Sequence, residues 1–343
     1  MHIVTLGGGT GQATLLRGLR AYACEVTAIV GVTDNGGHSG LLRRILGIPQ
    51  VGDIRQCLGT LVEARSVWEN LLAHRFTAGE LRGQSVGNLI LAALAEVHGS
   101  LGAAVEEIRQ AAGIRQRVLP VVDVYTDIAA ELADGRTVVG EWEIIQRQPR
   151  STVVRLLLQP QVAALPAVLE AIAQADMLVC CPGSLLTGTL AVLLPTGMRE
   201  AIAASQARCV YIGNLMTQPG QTDGYTARQH VAMVQDYLGR GLDAVVLNNG
   251  PYPATLLPLY AQHEAYPVVN DLVVTDMPVC MADLVEQPDA ETVRRYVRPQ
   301  SEGMQVGLHL IRHDAHKLAA QIIALARGWS RAPSPSSPGP VFD

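Results

Sequence analysis

Five residues, Gly7-Gly8-Gly9-Thr10-Gly11, stand between the apolar run Ile3-Val4-Thr5-Leu6 and a segment, Ala13 to Leu19, with the apolar spacing of a helix. A buried strand, a glycine turn and a helix in that order build a phosphate pocket. The missing Cβ atoms let backbone N–H groups approach an anion, and the helix N-terminus adds partial positive charge.

The rest of the chain repeats the theme. Val26–Val32 reads as a second strand, and Asp53–Ala64 and Ser85–Val97 as helices. Arg117–Val122, Ala129–Ala133, Arg136–Ile144 and Thr152–Leu158 read as strands, with Asp134-Gly135 as a hairpin turn. Alternation then resumes: strand Asp176–Cys181, helix Leu185–Ala203, strand Arg208–Ile212, helix Ala227–Leu238, strand Leu242–Leu247, and a last helix from His313 to Ala326. Repeated β-α units predict an α/β fold: a doubly wound, mostly parallel sheet with helices on both faces. We expect a single nucleotide-binding domain over residues 1–328, with a β-rich insertion at about 115–160. Residues 329–343, rich in Pro and Ser, are expected to form a disordered tail.

Composition narrows the partners. The 343 residues carry a net charge of −5, which argues against nucleic acid as a partner. Lys317 is the sole lysine, so arginine, suited to bidentate phosphate contacts, supplies nearly all the positive charge. No run of about 20 apolar residues predicts a membrane span, and no charged-then-apolar leader precedes the first strand. The six cysteines are scattered without a C-x-x-C pair, as expected for buried free thiols in a reducing cytoplasm.

Other polar, glycine-bearing segments fall at predicted strand ends or helix starts. The first glycine loop is neither a Walker loop, lacking Gly-Lys-Ser/Thr, nor a full dinucleotide fingerprint, because Gln12 stands where a third glycine belongs. Asp34-Asn35-Gly36-Gly37-His38-Ser39-Gly40 follows the second strand; Asp34 and Asn35 could bond a ribose, a base edge or a Mg²⁺ shell, or form an Asx-capped turn. Asp53 and Arg55 open a helix, where Asp53 suits an N-cap and Arg55 suits a facing anion. Gly87 and Asn88 begin a strongly apolar helix. Cys181-Pro182-Gly183-Ser184 repeats the strand-turn-helix anion motif, without a Gly-x-Ser-x-Gly elbow that would make Ser184 a nucleophile. Asn214-Leu215-Met216-Thr217-Gln218-Pro219-Gly220 follows another strand and offers amides and a hydroxyl of the kind that read a base or sugar. Gathered at one sheet edge, these segments favour a nucleotide cleft.

Gly-Gly-Gly-Thr-Gly (7–11), Asp-Asn-Gly-Gly-His-Ser-Gly (34–40), Gly-Asp-Ile-Arg (52–55), Gly-Asn (87–88), Cys-Pro-Gly-Ser-Leu (181–185), Asn-Leu-Met-Thr-Gln-Pro-Gly (214–220) and Arg-His-Asp (312–314) together resemble the CofD-like family, specifically its YvcK-type branch of gluconeogenesis factors. The resemblance spans residues 1 to about 325 in order. It implies a Rossmann-like fold and two roles. One is a cytoplasmic regulator of carbon metabolism and cell shape that binds UDP-N-acetylglucosamine. The other is a transferase that moves a phospholactyl group from a guanine-nucleotide-activated donor onto a deazaflavin with Mg²⁺. The long 214–220 segment and the Gly36-Gly37 pair look like the first branch. Where that branch usually reads Asp-Asp-Gly-Gly-Ser-Ser-Gly, this chain has Asn35 and His38, and loss of a carboxylate weakens a hard-cation site.

The leading expectation is therefore a nucleotide-sugar-binding regulator with no catalytic residue, no required cofactor and no assigned metal ligand. Gly8, Gly9, Thr10 and Gly11 would cradle a phosphate. Asp34, Asn35, Gly36 and Gly37 would face the ribose or sugar, with Asp53 and Arg55 beside them. Asn88, Gly183, Ser184 and Asn214 would close the pocket, and the resemblance adds Arg312 as a diphosphate contact. A UDP-sugar or related nucleotide is the expected partner, with no membrane and with homo-oligomerisation carried from the family. Mg²⁺ enters only with the transferase. A nicotinamide-dependent oxidoreductase is a third reading, against which the absent third glycine counts.

Overall fold

The computed structural model describes residues 1–272, 277–289, 293 and 310–330. Its strands, in chain order, are β1 His2–Gly7, β2 Glu25–Val30, β3 Arg117–Pro120, β4 Asp127–Leu132, β5 Thr137–Val139, β6 Val153–Gln159, β7 Met177–Cys180, β8 Arg208–Ile212, β9 Ala244–Asn248 and β10 Val279–Ala282. Seven form one sheet, ordered β10-β9-β8-β7-β1-β2-β3, and every neighbouring pair runs parallel. Every residue of β1 and β7 is buried, as a strand covered by helices on both faces requires; this is why their sequences are continuous apolar runs rather than alternating ones. The chain winds from β1 toward β3 on one side and from β7 toward β10 on the other. The order thus reverses between β1 and β7, and the crevice beyond their carboxyl ends is where such sheets take ligands.

The helices are α1 Gly9–Leu19, α2 Gly37–Leu46, α3 Gly52–Leu61, α4 Val67–Ala73, α5 Val86–His98, α6 Leu101–Ala111, α7 Glu141–Gln146, α8 Pro166–Ala173, α9 Met198–Ala204, α10 Ala227–Leu238, α11 Leu257–Gln262 and a C-terminal helix, Ala315–Ser330. The C-terminal helix crosses α1 at Gly18, where a Cβ would run into Ala315 O and lie 2.6 Å from Ala319 Cβ. No single helix among the described residues is long and apolar enough to cross a membrane. The apolar pair α5–α6 bends by 120° and buries Leu91 and Ile108 in the core.

Four expectations change. The β-rich stretch divides: Arg117–Pro120 pairs with β2 at the edge of the main sheet, while β5-β4-β6 form a separate antiparallel sheet joined by the Asp134-Gly135 turn. The strand expected over Arg136–Ile144 stops at Val139, because Gly140 at φ +106° turns the chain into α7. The helix expected over Leu185–Ala203 becomes a π turn at Leu185–Thr189, a short 3₁₀ turn at Ala191–Leu193 and α9; Pro195 and Gly197, at φ +93°, interrupt it. The C-terminal helix runs two residues into the expected tail, and 331–343 lie outside the described residues. None of the six cysteines is paired, in keeping with the free-thiol reading.

Candidate functional site

Beyond β1 and β7 opens a cavity of about 740 Å³, within the range of small-molecule sites. Its floor is the two strand-to-helix turns the sequence singled out, Gly7–Gly11 and Pro182–Ser184. They touch: a Cβ on Gly11 would collide with the Pro182 carbonyl oxygen, so only glycine lets α1 begin there. Asn214, at the end of β8, donates its amide to Gly183 O (2.8 Å) and joins the third strand end to the same floor. Gln12 is buried, with its amide donating to Thr5 O and Ile29 O; it ties α1 to β1 and β2. This explains why a side chain can replace the fingerprint glycine.

One carboxylate already faces the glycine cradle. Asp53, in the first turn of α3, accepts the Gly9 backbone N–H, and a Cβ on Gly8 would lie 2.6 Å from its Oδ2. Burial, and then the negative charge of Asp34, push the Asp53 carboxyl up to about 7; the Gly9 N–H, Arg55 and Gln50 oppose the shift. Asp34 accepts from Gly36 N–H (2.6 Å) in an Asx turn and also lines the cavity. Glu141, from α7, is a third acid that sequence reading missed. Burial raises its proton affinity most, followed by the charge of Asp34 and a hydrogen bond with it. Among the described residues no three His, Cys, Asp or Glu side chains form a group that could hold a metal ion.

The insertion is fastened to the main sheet at the cavity. Thr187 Oγ1 donates to Glu141 Oε1 (2.9 Å). Asn35 donates to Glu143 Oε2 (2.9 Å) and accepts the Trp142 N–H (2.9 Å). Arg147, following α7, donates to Gly220 O. The turn residue Gly140 makes room: a Cβ there would sit 2.8 Å from Asn35 Nδ2.

The opposite wall comes from distant sequence. Tyr260 OH accepts the N–H groups of Leu310 (3.0 Å) and Ile311 (2.8 Å), which holds the Ile311-Arg312-His313 segment against the cavity. Arg312 is engaged by Glu286, with one N–H···O contact of 3.2 Å. His313 is buried, and burial lowers its pKa to about 4, so its ring is neutral near pH 7.

Of the residues expected at the site, Gly8, Gly9, Thr10, Gly11, Asp34, Asp53, Gly183, Ser184, Asn214 and Arg312 line the cavity. Others stand outside the lining. Asn35 clamps α7 and Gly36 closes the Asx turn, while Gly37 begins α2. Arg55 points toward α4, donating to Leu72 O (3.1 Å). Gly87 lies where a Cβ would come within 2.9 Å of the Arg55 stem, and Asn88 is buried in the first turn of α5 behind the Ser85 cap. Gly87 therefore leaves room for the stem of Arg55. Lining residues that motif reading missed include Glu141, Trp142, Ile145, Thr187, Gln221 and Tyr260. The insertion carried no glycine-rich signal to mark it.

Fold and cavity together define a doubly wound α/β protein with a cleft at its topological switch point. A profile of the family described as 2-phospho-L-lactate transferase CofD matches residues 3–287. The chain belongs to this CofD family, in its YvcK-type branch of gluconeogenesis factors. The Gluconeogenesis factor of Bacillus subtilis is 37% identical over 328 residues, covering 95% of this chain and 98% of the relative. That of Halalkalibacterium halodurans is 41% identical over 273 residues, 79% of this chain and 84% of the relative. A crystal structure of a UPF0052-family protein from Bacillus halodurans matches with a TM-score of 0.84 at 36% identity, covering 94% of this chain and 99% of that one.

Proposed function

We propose that the protein is a cytoplasmic regulator of carbon metabolism, in the manner of the gluconeogenesis factors it is similar to, and that it acts by binding a nucleotide sugar, UDP-N-acetylglucosamine. A role in cell shape belongs to the same reading. The observation that carries it is the cavity at the β1–β7 reversal: two glycine turns and the start of α1 converge on one floor, and about 740 Å³ suits a nucleoside diphosphate with an attached sugar. The diphosphate would lie on Gly8–Gly11 and Gly183-Ser184, with Arg312 as its cation and Asn214, Thr217 and Gln218 as readers of polar edges. The proposal is for binding without turnover. Calorimetry with UDP-N-acetylglucosamine tests it: saturable one-site binding is expected, and none with a folded protein would refute it.

A phospholactyl transferase is the second reading. It is favoured by the family description and by the Asp34–Asp53 pair, in which Asp34 raises the proton affinity of Asp53. A cation would relieve that crowding, and Mg²⁺ is commonly held by one or two carboxylates plus substrate phosphates. Asp34 and Asp53 would hold it, and it would neutralise diphosphate charge. Asn35 takes no part, because both ends of its amide are spent on α7. Product formation from deazaflavin, activated donor and Mg²⁺ would move this reading to first place.

A further inference from the structure

We propose that Trp142 is a specificity-determining residue that stacks on the ligand's nucleobase, making α7 of the insertion the ring-reading element of the cleft. The inference rests on the nucleotide reading above and adds to it where the base lies.

α7 has two sides. Ile144 is fully buried in the core, whereas Trp142 and Ile145, three residues apart, line the cavity. The indole is 47% exposed. That is an unusual state for the largest apolar side chain when it stands at a cavity wall rather than on an open face. Its place is set from the main chain, because the Trp142 N–H donates to Asn35 Oδ1 while Glu141 and Glu143 on either side are each hydrogen-bonded to neighbouring elements. The ring is thus presented by a fixed backbone and is free to meet a ligand with little loss of freedom.

The two other tryptophans are used elsewhere. Trp68 donates to Ala111 O, and Trp329 lies under Arg208 on the C-terminal helix. Arg147 and Gly220 join α7 to the loop after β8, so Trp142 and Ile145 share a wall with Met216 and Pro219. The cavity therefore has a polar, glycine floor and, on the α7 side, a wall in which Trp142 is the aromatic face, set among Ile145, Met216 and Pro219 and the polar Thr217 and Gln218; Tyr260 lines the opposite wall. A diphosphate needs only the floor. A nucleobase gives the wall a matching flat surface to bury, and stacking of a base on an aromatic side chain is worth roughly tenfold or more in affinity.

The test is calorimetry and tryptophan fluorescence on the full chain with UDP-N-acetylglucosamine, UDP and inorganic pyrophosphate, comparing wild type with Trp142→Leu and Trp142→Phe. Circular dichroism melts would verify that each variant folds. The expected result is that UDP and UDP-N-acetylglucosamine quench wild-type emission. Trp142→Leu should weaken both about tenfold while pyrophosphate changes less than twofold, and Trp142→Phe should recover most of the loss. Wild-type affinity for UDP in Trp142→Leu would overturn the inference and leave the nucleotide reading standing. So would a loss confined to UDP-N-acetylglucosamine, which would place the sugar on the indole. Absence of any UDP or UDP-N-acetylglucosamine binding by the wild type would overturn the nucleotide reading itself, and this inference with it.

Discussion

Thr187 Oγ1 donates a 2.9 Å hydrogen bond to Glu141 Oε1, which couples the turn after β7 to the first residue of α7 across the cavity. The acid that receives it is buried beside Asp34, and both burial and that neighbour favour its protonated form. In the unfolded chain Glu141 loses its proton at its ordinary pKa, near 4.5, and in the folded protein only at higher pH. Between those values the folded state binds the extra proton, so Glu141 makes stability fall as pH rises. Glu141→Gln removes the charge and keeps an acceptor for Thr187. The variant should match wild type near pH 5 and be more stable at pH 8 by roughly 1–3 kcal/mol, since a tenfold change in proton affinity corresponds to about 1.4 kcal/mol and relaxation recovers part of it. Urea melts at the two pH values measure this; a variant less stable than wild type at pH 8 would show that the charged form is the one the fold wants.

The two glycine turns make opposite predictions for alanine. At Gly11 a Cβ collides with Pro182 O, a backbone atom that cannot swing away, so Gly11→Ala should cost about 1–3 kcal/mol by forcing α1 and the β7 turn apart. At Gly183 the nearest atoms are 3.9 Å away, Thr189 Oγ1, and 4.0 Å, Gly8 O. Gly183→Ala should therefore melt within about 0.5 kcal/mol of wild type while its new methyl group occupies cavity space. If the ligand's phosphates lie there, UDP-N-acetylglucosamine affinity falls at least severalfold in a protein of normal stability. Equal affinity would remove this turn from the site. Gly9 is a poorer place for such a test, because it sits at φ +59°, where a β-branched side chain strains the backbone whatever the ligand does.

Asp53 adds a pH dependence to binding. Its carboxyl is pushed up to about 7 in the ligand-free protein and lies against the same backbone that would receive a diphosphate. Negative charge placed beside it favours its proton further, so binding takes up a proton and affinity rises as pH falls. We expect the dissociation constant of UDP-N-acetylglucosamine to tighten severalfold between pH 8 and pH 6. Asp53→Asn should bind at pH 8 about as wild type does at pH 6 and lose the slope. A flat profile in wild type would mean that the ligand keeps clear of Asp53.

The main sheet was legible because parallel strands buried on both faces advertise themselves as apolar runs: β1, β2, β7, β8 and β9 each fall within a few residues of their expected limits. The floor of the cavity was legible for the same reason, since a glycine turn after such a run marks a strand end. What escaped was set by contacts between distant segments. Arg55, placed at a helix start, turns away because Gly87 leaves room for its stem and Leu72 O accepts its proton. Asn35 is drawn out of the lining by Glu143 and the Trp142 N–H, 107 residues along the chain. Glu141 and Trp142 lay in a segment read as strand, where period-two alternation hid the six-residue helix that Gly140 starts. No local pattern reports such pairings, because they depend on where the antiparallel insertion docks.

Arg312 supplies the last prediction. It is the one guanidinium in the lining among the described residues, yet Glu286 holds it through contacts from both Nε and Nη2. An incoming diphosphate has to compete with that carboxylate. The pair is partly exposed, so it contributes little to stability, at most about 1 kcal/mol. Glu286→Gln should accordingly leave the melting temperature nearly unchanged while freeing the guanidinium, and UDP-N-acetylglucosamine should bind about two- to fivefold tighter at low salt, an advantage that shrinks as salt screens the charge. Arg312→Ala should weaken the same ligand by tenfold or more, the scale expected for loss of a charge-assisted bidentate contact. If Glu286→Gln binds more weakly than wild type, Glu286 orients Arg312 for the ligand rather than competing with it, and the guanidinium is presented in its productive position only while paired.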